Sequence, residues 1–186
     1  MIIVIAGMKR SGSTWQFNVI RLYIELATGV ETFITGSPDE AIAKEEQDPE
    51  EFILCKYHPW HRKLNQRATM VFSSNRNWED AMNSLERFKE RPDKKRQKSM
   101  KDWHRSWQKV ADFYMEFSAL KSDPNLMIHL IGLQLYENKI IPSFDIELRD
   151  QVIRAMNNLE PPDEKQWYDP KTLLFHNHIT DESNEV

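Results

Sequence analysis

The sequence predicts an α/β fold, a three-layer arrangement around a largely parallel sheet, within a single domain over residues 1–186. Three observations predict it. Short apolar runs alternate with stretches of helical periodicity, the pattern of strand–helix–strand units. The first run, Ile2 to Ala6, is apolar without interruption, as a strand covered on both faces must be. A chain of 186 residues with 40% hydrophobic and 11% aromatic content can bury one sizeable core.

The elements follow in order. After the strand Ile2 to Ala6, the spacing of Trp15, Val19, Leu22 and Leu26 predicts a helix from Ser13 to Thr28, and Gly29 supplies its stop. Ser37-Pro38-Asp39 starts a short acidic helix, Glu40 to Gln47, with a solvated face. Phe52 to Lys56 reads as the second strand and Ala68 to Ser73 as the third. Asn77 then caps a helix in which Trp78, Ala81, Met82, Leu85 and Phe88 share one side. Arg91 to Arg96 is a charged break. Beyond it, Trp103, Trp107, Val110, Ala111 and Tyr114 mark one long amphipathic helix with a core-facing aromatic stripe. Leu126 to Leu130 reads as a further strand. Leu148, Val152, Ile153 and Met156 form a last helix, which Pro161-Pro162 ends before an irregular tail.

The net charge of −4 argues against a surface devoted to nucleic acid, although a local basic site remains compatible with it. The one cysteine, Cys55, excludes a disulfide within the chain, fits a reducing compartment, and sits in an apolar run as a small core residue. No Cys/His cluster has zinc spacing. The opening apolar run is too short to span a bilayer and no basic segment precedes it, so no membrane association is expected and a cytoplasmic enzyme is the simple inference.

Gly7-Met8-Lys9-Arg10-Ser11-Gly12-Ser13-Thr14-Trp15 lies between a predicted strand and a predicted helix. That context suits a phosphate-binding loop. Glycines permit close backbone approach, N–H groups converge, and a helix N-terminus favours an anion. The glycine spacing resembles the nucleotide-kinase P-loop, and the resemblance implies a P-loop-like nucleotide-binding topology. That loop, however, needs Lys directly after its second glycine, and here Ser13 stands there.

Arg10-Ser11-Gly12-Ser13-Thr14-Trp15 instead resembles the 5'-phosphosulfate loop of sulfotransferases. There a Lys or Arg precedes Ser-Gly, two hydroxyl residues follow, and an aromatic often comes next. Two further strings agree in type and order. Lys56-Tyr57-His58 resembles the Lys-x-His that many sulfotransferases carry after the preceding strand. Arg76, Asp80 and Ser84 resemble the 3'-phosphate motif, Arg-x3-Asp-x3-Ser, with Trp78 where the family commonly has Pro. The resemblance covers residues 2 to 88 well and the remainder poorly, and a compact microbial or viral type is the nearest match in style.

The resemblance implies a donor, 3'-phosphoadenosine 5'-phosphosulfate (PAPS), and a product, adenosine 3',5'-bisphosphate (PAP). The acceptor would be a hydroxyl on a small molecule or glycan, less readily an amine, and the family needs no metal. By the same analogy His58 is the base. Lys56 and Arg10 stabilise the transferring group and the departing 5'-phosphate. Lys9, Arg10, Ser11, Gly12, Ser13 and Thr14 form the loop around that phosphate, and Arg76 and Ser84 select the 3'-phosphate. Trp15 either stacks on adenine or packs in the core.

His58, with a reference pKa of about 6.5, is mostly unprotonated near neutrality and able to accept a proton. Asp80 and Ser84 lie one helical turn apart on one face. Many cytosolic relatives close the 3'-phosphate site with a late Arg-Lys-Gly loop, which this chain lacks. Its tail offers His176-Asn177-His178, where His178 is either a second site histidine or a packing residue. The basic run Lys94 to Lys98 reads as a solvated linker, or as an attractor of the anionic donor. Two other classes stay open: a P-loop kinase or NTPase, and a non-catalytic nucleotide-binding protein.

Overall fold

The structure, a computed structural model, describes residues 1–87, 92–162 and 168–175. Its centre is a five-stranded, all-parallel sheet in the order β2-β3-β1-β4-β5. The strands are β1 (Ile2–Gly7), β2 (Phe33–Thr35), β3 (Ile53–Lys56), β4 (Ala68–Asn75) and β5 (Phe113–Glu116). The helices are α1 (Ser13–Thr28), α2 (Pro38–Gln47), α3 (Arg62–Arg67), α4 (Trp78–Arg87), α5 (Lys94–Gln108), α6 (Phe117–Ser122), α7 (Pro124–Glu137) and α8 (Ile146–Asn157). A small antiparallel hairpin, β6 (Tyr168–Asp169) and β7 (Leu174–Phe175), follows.

Successive side chains of β1 point to opposite faces and so feed two cores. Ile3 and Ile5 pack with Phe17, Ile20 and Ile24 of α1, with Ile128 and Ile131 of α7, and with Val152 of α8. Ile2, Val4 and Ala6 pack on the other side with Ala41 of α2, Leu64 of α3 and Trp107 of α5. The sheet is therefore the middle of three layers, and every residue of β1 is buried, as its unbroken apolar run requires.

Several expectations are met closely. Helix α1 spans Ser13–Thr28, and Gly29 caps it in the left-handed conformation at φ 71°. Ser37 caps α2 by accepting from the Glu40 N–H. The Asn77 side chain accepts from Glu79 and Asp80 N–H. Trp78, Ala81, Met82 and Leu85 share a cluster with Met8 and Met100; Phe88 and Arg91 lie outside the described residues. Cys55 is buried, and burial pushes its thiol up to about 12.

Others need correction. Leu126 to Leu130 is not a strand but part of α7, whose start is marked by Asp123 accepting from the Leu126 N–H at 2.9 Å and by Pro124 in the first turn. The long helix expected to run through Tyr114 ends at Gln108, and Tyr114 belongs to β5. Lys94 to Lys98 is no linker: Asp93 caps α5 by accepting from Arg96 N–H at 2.8 Å, and the run forms its opening turns. The three-residue strand β2 was not anticipated, so Ile53–Lys56 is the third strand in chain order and Ala68–Asn75 the fourth. The tail is not wholly irregular. Its hairpin is anchored where Asn18 donates to the Thr172 carbonyl at 2.7 Å and to the Thr14 carbonyl at 3.0 Å. Among the described residues, no helix is long and apolar enough to cross a membrane.

Candidate functional site

The three motifs converge at the carboxyl ends of the strands. β1 lies between β3 and β4, so Gly7, the segment after Lys56, and Arg76 after Asn75 leave the sheet as neighbours. The chain passes from β1 to β2 on one side and crosses from β3 to β4 on the other. The loop after β1 thus stands at the switch point, where open parallel sheets form their binding crevice.

The loop is tightly held. Gly7 has φ 110°, and a Cβ there would meet the Ser74 carbonyl oxygen at 2.4 Å, so the close approach of β4 demands glycine. Ser11 is fully buried. Its hydroxyl donates to the Met8 carbonyl at 2.5 Å and lies 2.7 Å from the Ser74 Oγ. Its side chain therefore ties the loop to β4. Arg10 adopts φ 64°, a left-handed conformation that costs a non-glycine residue roughly 1–2 kcal/mol. Gly12 is the cap of α1 at φ 83° and has no side chain with which to cap the first-turn N–H groups. Those groups, at the positive end of a 16-residue helix, are suited to an anion. A Cβ on Gly12 would meet Leu120 of α6 at 2.8 Å, so here the glycine answers to helix packing.

Lys56 ends β3 and reaches the start of α1, where its Nζ donates to Thr14 Oγ1 at 2.5 Å. Burial, and after it the Arg10 and Lys9 cations, pull the Lys56 amine down to about 7. His58 follows with its Nδ1 3.0 Å from the Gly7 carbonyl oxygen. A carbonyl only accepts, so Nδ1 carries the proton and Nε2 presents its lone pair. Burial, with the Lys56 cation next, pushes His58 down to about 3. The ring is held in place from behind: Trp107 Nε1 donates to the His58 and Pro59 carbonyls, both at 3.1 Å.

On the other flank of β1, Arg10 Nε donates to Ser84 Oγ at 2.9 Å, across 74 residues. Arg76 Nη1 approaches the Arg10 carbonyl at 3.4 Å, and its guanidinium stacks on the Phe117 ring at 4.3 Å from the centroid. Arg76 Nε is buried without a partner. These residues border a cavity of about 540 Å³, lined by Arg76, Asp80 and Ser84 and also by Phe117, Ser118 and Lys121.

No model of a known protein family matches the chain, and no curated protein matches it.

The structure thus brings Lys9, Arg10, Ser13, Thr14, Lys56 and His58 to one loop, and it joins Arg76 and Ser84 to that loop through Arg10. Asp80 lines the cavity but is exposed. Trp15 packs among core residues around Phe113, Met115 and Leu120. His176 and His178 lie outside the described residues. Sequence reasoning missed the β5–α6 wall, with Glu116, Phe117, Ser118 and Lys121. The available signal was Val110-Ala111-Asp112, which breaks the α5 pattern; the Asp112 carboxylate accepts from Val71 N–H at 2.7 Å where β5 joins β4.

Proposed function

We propose that the chain is a PAPS-dependent sulfotransferase with a P-loop-like topology, acting on a hydroxyl of a small molecule or glycan. The observation that carries the reading is the Arg10 bridge. A strained loop residue, at the head of an uncapped helix, bonds Ser84 beside Arg76. One residue thereby couples two anion-binding places, as a donor phosphorylated at both ends of its ribose requires. The strand order β2-β3-β1-β4-β5, with the loop after β1, supports the topology.

The 5'-phosphate of the donor sits over the first-turn N–H groups of α1, beside Thr14 and Lys56. The acceptor oxygen attacks sulfur in line, the bond from sulfur to the 5'-phosphate oxygen breaks, and its electron pair leaves on the phosphate of PAP. His58 Nε2 accepts the hydroxyl proton. Catalysis of this kind rests on positioning and on charge stabilisation. Burial is the main cause that depresses Lys56 and His58, and an entering anionic donor offsets the smaller part that neighbouring cations add. Donor binding therefore favours the Lys56 cation and raises the basicity of His58.

The test is a thermal-shift comparison of PAP with ATP. PAP stabilises the protein clearly and Arg76→Ala reduces the shift. Equal stabilisation by ATP, with no effect of Arg76→Ala, overturns the reading in favour of an ordinary P-loop nucleotidase or kinase.

A further inference from the structure

We propose that Lys121 of α6 is the second cation of the terminal-phosphate site, facing the same phosphate as Arg76 and Ser84 across the cavity. The inference rests on the sulfotransferase reading and deepens it, because the resemblance supplies no closing cation for this chain.

The geometry comes from α6. Its Phe117 ring has two cations against it: the Arg76 guanidinium at 4.3 Å and the Lys121 Nζ at 5.8 Å from the centroid. One aromatic ring therefore gathers both positive groups at the cavity edge. The same helix contacts the phosphate loop, since Leu120 and Phe117 fill the space beside Gly12 where a Cβ would go. A six-residue element in the poorly matching half thus touches the loop on one side and lines the cavity on the other.

The lining suits a nucleoside phosphate. Arg76 and Lys121 offer positive charge, and Ser84 and Ser118 offer hydroxyl donors. Arg76 Nε is buried and unpartnered, a donor awaiting an acceptor. The Glu116 carboxylate is occupied by the Asn75 amide, 3.1 Å from each oxygen, which draws its charge toward β4. A volume of about 540 Å³ is within the range of nucleotide-sized pockets. A phosphate held between a forked guanidinium and an ammonium is bound more firmly than by either cation alone, and a ligand lacking it gains nothing from Lys121.

Titration calorimetry of PAP and of adenosine 5'-monophosphate tests this on the full chain, with Lys121→Ala, Lys121→Gln, Lys121→Arg and Arg76→Ala. Lys121→Ala and Lys121→Gln weaken PAP by about tenfold and leave the monophosphate within about twofold, while Lys121→Arg keeps most of the PAP affinity. Lys121 is exposed, so these variants fold, and unchanged melting temperatures without ligand confirm it. If Arg76→Ala weakens PAP and the Lys121 variants do not, the proposal falls and the sulfotransferase reading stands. Equal losses for both nucleotides also overturn it. If the unaltered protein binds no PAP, both fall together.

Discussion

Lys56 and Arg76 leave strands on either side of β1, yet the two cations are held in different ways. Lys56 is enclosed, pressed by Arg10 and Lys9, and its amine is drawn down to about 7. Arg76 stacks on Phe117 at the edge of the cavity. The β3 flank therefore holds groups whose protonation can change, as chemistry requires. The β4–β5 flank holds a stacked cation beside a cavity, as the proposed recognition of a phosphate requires. The loop between them belongs to both, through Thr14 on one side and Arg10 on the other.

The sharpest way to break this contrast is to remove one group from each flank. His58→Ala is expected to lower kcat for sulfuryl transfer by roughly 10²–10⁴-fold and to leave PAP affinity within about twofold. Steady-state kinetics alongside calorimetry check it, and a large loss of PAP affinity would erase the division. Arg76→Ala is the mirror case: PAP affinity falls by about 10–100-fold.

The two loop glycines sharpen the comparison through stability. Gly7→Ala forces a Cβ onto the β4 backbone at 2.4 Å, which cannot move without disturbing the sheet, and it is expected to cost more than about 3 kcal/mol. Gly12→Ala meets the end of the flexible Leu120 side chain at 2.8 Å, so its cost is expected near 1–2 kcal/mol, mostly backbone strain. Urea denaturation of both variants checks the order; the reverse order would mean that α6 is the more rigid neighbour.

The last effect is electrostatic. Native Lys56 titrates near 7 and the unfolded chain's lysine near 10.5. Between those values the unfolded state holds more protons, so stability rises with pH, by at most about 1.4 kcal/mol per pH unit from this group. Below about 7 both states are protonated and Lys56 adds no slope. Lys56→Met should flatten the rise between pH 7 and 9 in chemical denaturation series. An unchanged slope would show that Lys56 keeps its charge in the native state.

The β1–α1 unit was readable because its signals are local: an unbroken apolar run, helical spacing, and Gly29 at the stop. Arg76 and the Asn77 cap were readable for the same reason. The cavity was not, because its second wall depends on where α5 ends. Trp107 is buried against the His58 loop and Tyr114 follows at helical spacing, so periodicity joined a helix to the next strand. Leu126 to Leu130 misled differently. A short, mostly apolar run of which only Met127 and Ile128 are buried carries no distinguishing period, and the Asp123-Pro124 start signal was the better guide. The roles of Ser11, Gly7 and Gly12 depend on partners 63 to 108 residues away, Ser74 and Leu120, which local pattern cannot reveal.

The anchoring of Asn18 to Thr172 has a consequence for how the protein is made. The loop after β1 and α1 are synthesised well before their partners: Ser74, then Ser84, then Leu120, and then Thr172, 154 residues after Asn18. A nascent chain thus carries its loop without the neighbours that give it shape. Such long separations slow assembly, and the parallel sheet stays incomplete until β5 has emerged. The loop lacks its neighbour beside Gly12 until α6 has appeared, and the clasp on α1 closes only once Thr172 has emerged.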